Sequence, residues 1–140
     1  MILEDELFTL EQSLECSVPG YLILRLKGPE TSLAELKPDQ ARALGEMLAA
    51  AARAIEAAVK PERVYVLSFC EVERRLHFHF FPRTAWLLKE YFKANDCANA
   101  PVNGPMLFEW ARRVFRPGSH IPDGIPDSKV VGEIISKILK

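Results

Sequence analysis

Little in this chain suggests a membrane, a nucleic acid or a disulfide frame. No apolar run approaches the ~20 residues needed to cross a bilayer. Lys and Arg number 18 against 19 Asp and Glu, for a net charge of −1, so no general basic surface is offered to a nucleic acid. Cysteine is sparse: Cys16, Cys70 and Cys97 are odd in number and show no CxxC spacing. They read as free thiols of a reducing cytoplasm rather than a disulfide frame or a zinc knot. The opening Met1-Ile2-Leu3-Glu4-Asp5-Glu6 lacks the basic stretch and apolar core of a secretion signal, which also points to the cytoplasm. No repeat or low-complexity linker divides the chain. With 140 residues, 49% of them hydrophobic, it suits a single domain with a real core.

What is present is a sequence of short strands and amphipathic helices. Residues 7–14 read as an edge strand and 21–26 as a buried one, stopped by Lys27-Gly28-Pro29. Ser32 and Glu35 have capping-box spacing, which predicts a short helical turn through Leu36. Pro38 opens the strongest helix, expected over 38–59, with Leu44, Leu48, Ala51, Ile55 and Val59 as its apolar stripe and alanine over much of the rest. Residues 63–70 and 75–83 read as an antiparallel hairpin around a charged turn at 71–74. Helices are expected over 86–94 and 105–115, with a loop at 95–104 between them. A last helix, capped by Asp127, runs through Leu139 with Val130, Val131, Ile134, Ile135 and Ile138 on one side. The order predicts an α+β fold with a mainly antiparallel sheet.

The most distinctive stretch is Leu76-His77-Phe78-His79-Phe80-Phe81-Pro82-Arg83. Alternation along a strand puts Arg75, His77, His79 and Phe81 on one face and Leu76, Phe78 and Phe80 on the other. The second face reads as core, and the first presents two imidazoles on a rigid element. Three readings fit a strand-borne His-x-His. The histidines can be half-buried surface residues with no task. They can hold a metal, although Phe80, Phe81, Pro82, Arg83 and Thr84 supply no third ligand, Arg75 and Arg83 oppose a cation, and Glu71 or His120 would have to be brought in by the fold. Or one imidazole can attack phosphorus, held neutral by an acceptor on its other nitrogen, while its neighbours stabilise the phosphate oxygens.

His77-Phe78-His79-Phe80-Phe81-Pro82-Arg83 resembles the second half of the histidine-triad signature, His-φ-His-φ-His-φ-φ, which often continues into Pro-Arg. Pro19-Gly20-Tyr21-Leu22-Ile23-Leu24 is similar to that family's early strand, and Ser32-Leu33-Ala34-Glu35-Leu36 to its turn before the long helix. The likeness covers about residues 5–90 and leaves 91–140 as a C-terminal helical extension of one domain. It implies a histidine-triad-like fold: a mainly antiparallel five-stranded sheet, one long helix and extra C-terminal helices. It also implies a homodimer whose sheet continues across the interface.

In function the likeness implies a nucleotide-binding hydrolase or transferase, similar to diadenosine polyphosphate hydrolases, acting at a nucleoside α-phosphate through a covalent histidine–nucleotidyl intermediate without a cofactor or metal. Its ligand would be a nucleotide or dinucleoside polyphosphate. By position in the motif, His77 corresponds to the nucleophile and His79 to the third histidine, with Arg75 and Arg83 as phosphate-binding candidates. Arg75 stands where the family has its first histidine. Gly20-Tyr21 replaces a common Gly-His, and Tyr65 and Cys70-Glu71 stand where asparagines are common. These departures leave a second reading open, a non-catalytic nucleotide-binding or interaction protein with a degenerate triad. Leu7, Phe8, Leu22 and Leu24 are candidates for the nucleoside wall or simply core. His120 reads as a surface loop residue, and Trp86 and Trp110 as core.

Overall fold

A computed structural model describes residues 1–97 and 101–140. Five strands, β1 (Leu3–Glu4), β2 (Phe8–Gln12), β3 (Leu22–Leu26), β4 (Arg63–Leu67) and β5 (His77–Arg83), form one sheet in the order β1-β2-β3-β5-β4. Every neighbouring pair is antiparallel. Among the described residues four helices accompany it: α1 (Pro38–Val59), α2 (Ala85–Asn95), α3 (Gly104–Val114) and α4 (Ser128–Leu139). The α+β prediction holds, with five strands and one long helix.

The sheet has two covered faces, each with its own core. On one, Leu10, Leu22, Leu24 and Phe80 pack with Leu44, Ala51, Ala54 and Ile55 of α1 and Val131 and Ile135 of α4. Ala51 of the α1 stripe and Ala54 beside it are fully buried, and the lack of bulk there lets the helix lie close to the strands. On the other, Tyr21, Ile23 and Phe81 pack with Leu87 and Tyr91 of α2 and Leu107, Phe108, Trp110 and Ala111 of α3. Trp110 stands edge-on to Tyr91 and Phe115, with ring centres 5.3 and 5.7 Å away, and is a core residue as expected; Trp86 is half-buried and packs against Phe115 at the edge of this core.

Local signals explain most element ends. The Ser32 N–H donates to Glu35 Oε1 at 3.1 Å around a 3-10 turn at Leu33–Glu35. Pro38 occupies the first turn of α1, and Lys60 closes that helix in the left-handed region at φ 48°. The Val130 N–H donates to Asp127 Oδ1 at 2.9 Å and starts α4.

Three expectations change. Residues 7–14 are not an edge strand: Asp5 Oδ1 accepts from the Leu7 and Phe8 N–H groups and turns the chain, so two-residue β1 forms the edge and β2 lies inside it. β4 stops at Leu67, and β5 begins at His77 rather than Arg75. Cys70 lies between them at φ 54°, a left-handed conformation that no strand continues through. Part of the predicted 95–104 loop, residues 98–100, lies outside the described residues.

Phe80 is fully buried at the centre of the first core. Phe80→Ala should therefore cost about 3–5 kcal/mol of stability, read as a lowered urea midpoint at unchanged slope. A loss under about 1 kcal/mol would show that this core does not hold the sheet to α1.

Candidate active site

β5 runs between β3 and β4, so its side chains must divide between two packed faces. Phe80 points into the α1 core. His77, His79 and Phe81 take the opposite face, where the register sets Arg25 across from His77 and Ile23 across from His79 on β3, with Leu67 across from His79 on β4. The two imidazole rings lie 5.1 Å apart, centre to centre. Both line a cleft of about 500 Å³ bounded also by Glu11, Tyr21, Arg25, Cys70, Glu71 and Arg112.

The hydrogen bonds determine which nitrogen of each ring carries the proton. His77 Nδ1 lies 2.8 Å from the Arg75 carbonyl oxygen. A carbonyl only accepts, so Nδ1 is protonated and donates. In the neutral ring Nε2 is then the lone-pair nitrogen, and it has no protein partner among the described residues. The thiol of Cys70 sits 3.6 Å from the same Nδ1.

His79 is the opposite tautomer. Its Nδ1 is 2.7 Å from the Tyr21 hydroxyl. Tyr21 is 1% exposed, and its phenolic proton has no other acceptor among the described residues. With the hydroxyl donating to Nδ1 the proton is satisfied; the reverse would strand a buried donor. His79 therefore carries its proton on Nε2. Burial, and secondarily the charges of His77, Arg112 and Arg25, lower its pKa to about 4. Burial also raises that of Tyr21. At neutral pH the pair is an uncharged relay that ends in an N–H donor.

The charged groups are arranged differently from the sequence expectation. Because β5 begins at His77, Arg75 does not share the histidine face as a strand residue. Its carbonyl serves His77, while its exposed guanidinium is held by Glu73, Nη2 to Oε2 at 2.9 Å. That contact holds the Glu73 carboxyl down to about 2. Arg83, at the far end of β5, pairs with Glu62 at 3.4 Å. Neither arginine lines the cleft.

The guanidiniums that do line it are Arg25 and Arg112, which the sequence reading missed. Arg25 is paired with Glu11, and Arg112 with Glu15 at 3.1 Å, its guanidinium also lying 5.4 Å from the centre of the Phe108 ring. Arg25 carried a signal: it is the one charged residue in Tyr21-Leu22-Ile23-Leu24-Arg25-Leu26 and alternates with Tyr21 and Ile23. Arg112 carried none, because it is 35 residues away on a separate helix.

Phe8, Leu22 and Leu24 belong to the α1 core on the opposite face, so they do not wall this cleft. Among the described residues, no group of three or more His, Cys, Asp or Glu side chains is placed to hold a metal ion. His120 lies exposed in the loop before α4.

No family model and no curated protein sequence matches the chain. Solved structures do. A hypothetical histidine triad nucleotide-binding protein from Sulfolobus tokodaii aligns over 99% of this chain and 81% of its own, at 17% identity and a TM-score of 0.61. A histidine triad protein from Bradyrhizobium japonicum aligns over 98% and 85%, at 19% identity and a TM-score of 0.60. The chain has the histidine-triad fold. A Hit-like protein involved in cell-cycle regulation from Bartonella henselae aligns over 99% and 82%, at 14% identity and a TM-score of 0.53. Within this fold, the chain has two histidines on β5 and a tyrosine behind the second.

Titration tests the Tyr21–His79 relay. A donor to Nδ1 favours the neutral ring, so in Tyr21→Phe the His79 pKa should rise from about 4 while burial keeps it below 6.5; NMR titration of the ring reads both. An unchanged value would mean that the hydroxyl does not donate. The sign for stability follows. An unfolded histidine takes its proton near pH 6.5, the folded one only near 4. Acidification through that window thus favours unfolding, and His79→Asn should flatten this part of the melting-temperature profile.

Proposed function

We propose that this chain is a nucleotide-binding hydrolase or transferase that uses His77 as nucleophile at a nucleoside α-phosphate. The observation that carries this reading is the tautomer of His77. In the neutral ring, donation to the Arg75 carbonyl leaves the lone pair on Nε2, on a wall of the cleft, the state an attacking imidazole needs. His79 Nε2–H, 5.1 Å away between ring centres, is the phosphate-oxygen donor that stabilises the charge developing in the transition state. In the first half-reaction, the Nε2–P bond forms as the bond to the leaving group breaks. Water then cleaves Nε2–P, releasing the nucleoside monophosphate and restoring the ring. Arg75 and Arg83 enter this scheme only as outer charges, each held by a carboxylate, while Arg25 stands next to the nucleophile.

One observation favours the alternative of a non-catalytic nucleotide-binding protein: both cleft arginines are already ion-paired. The two readings separate on turnover. Turnover of adenosine 5′-phosphoramidate or diadenosine tetraphosphate should be abolished in His77→Ala, with the melting temperature nearly unchanged. Binding of either compound without turnover by the wild type would select the alternative.

The reading extends to a homodimer in which β4 strands meet. β4 is an outer strand of the sheet, and Val66 on it is 46% and Phe69 just beyond it 73% exposed, apolar surface that an open edge does not normally leave to water. Sedimentation equilibrium should give two chains per particle for the wild type and one for Val66→Lys. A monomeric wild type would rule this arrangement out.

A further inference from the structure

We propose that Arg112 is a third catalytic group of this cleft: when the ligand arrives, its guanidinium exchanges the Glu15 carboxylate for two oxygens of the phosphoryl group under attack. This rests on the reading of His77 and His79 given above and adds to it a residue from α3.

The histidines leave a charge to be met. The Tyr21 hydroxyl holds His79 as a neutral donor, and His77 is the attacking group. A phosphoryl group in transfer carries negative charge on the oxygens that lie off the line of attack. A cation for those oxygens has to come from another element. Arg75 and Arg83 do not line the cleft, which leaves Arg25 and Arg112.

These two are held differently. Arg25 on β3 pairs with Glu11 on the neighbouring β2, and both side chains are only 29% exposed. Arg112 pairs with Glu15 at 3.1 Å, where the glutamate side chain is 82% and the arginine 39% exposed. Water competes for an ion pair this open, so pairing is favoured by at most about fivefold, and a phosphate can displace the carboxylate. Arg112 also borders a second hollow, of about 650 Å³, with Glu109 and Arg113, so its guanidinium has space beyond the histidine cleft in which to turn.

The base of the side chain is fixed. Ala111 beside it is fully buried in the α3 core. The guanidinium lies 5.4 Å from the centre of the Phe108 ring, and Phe108 stands edge-on to His79 with ring centres 6.0 Å apart. Phe108 thus places the cation beside the ring that donates to phosphate. The charge of Arg112 already reaches that ring, where it adds to the lowering of the His79 pKa by burial. A guanidinium presents a planar fork that meets two phosphate oxygens at once. Arg112 forms no bond to phosphorus and moves no proton.

Steady-state kinetics of full-length variants with adenosine 5′-phosphoramidate test this role. Arg112→Ala should lower kcat at least about a hundredfold. Guanidinium chloride should restore part of that loss, and sodium chloride at the same ionic strength should not. Arg112→Met keeps an apolar stem against Phe108 and should lose as much activity, which separates the missing charge from a loosened α3. Glu15→Gln should lower KM severalfold, because no carboxylate then competes for the guanidinium. Wild-type kcat in either Arg112 variant, or a loss in Arg112→Ala that guanidinium does not relieve, overturns the role of Arg112; with His77→Ala inactive, the histidine reading still stands. A wild-type chain that does not turn the compound over overturns both.

Discussion

The position of β5 as an inner strand, hydrogen-bonded on both edges, with one face covered by α1 and the other shared between the α3 core and the cleft, is the constraint on which the rest depends. Polar residues on such a strand are largely withdrawn from water, and leaving them without partners is costly. Phe80 is taken by the α1 core and Phe81 by the α3 core. His77 and His79 must then each find a hydrogen-bond partner inside the protein. They find different kinds: a backbone carbonyl, which only accepts, and a buried phenol, whose proton needs an acceptor. Those two partners turn chemically identical rings into a lone-pair nitrogen and an N–H donor side by side.

The charged groups around this pair are largely matched with one another. Every arginine near it is already engaged with a carboxylate: Arg25 with Glu11, Arg112 with Glu15 and Arg75 with Glu73. These pairs are partly or largely exposed, so each contributes little to stability. Their larger consequence is electrostatic, because they leave the cleft without a net positive charge.

Much of the architecture was legible in the residues because the signals were local. Pro38, the Ser32–Glu35 spacing and Asp127 mark helix starts through bonds made within one turn. The apolar stripe of α1 declares its buried side by spacing alone. The hairpin boundaries were less legible, since Cys70 in a left-handed conformation shortens both strands and nothing in its side chain announces that geometry. The same shortening removes Arg75 from the histidine face. Arg25 could be read as an outlier in an apolar strand, but Arg112 reaches the cleft only because α3 folds back over the sheet.

By itself, then, the amino-acid order determined that two imidazoles would share one face of a strand, because a period of two is a property of the extended backbone. It also determined the α+β layout, through caps and stripes that act within a few residues. Only the tertiary structure decided what those imidazoles are. The tautomer of His79 depends on Tyr21, 58 residues away, and the charge around the pair depends on glutamates from β2 and the loops meeting arginines from β3 and α3. Proton position and local field are set by whatever lies within a few ångströms, and distance in space is what a linear sequence does not record.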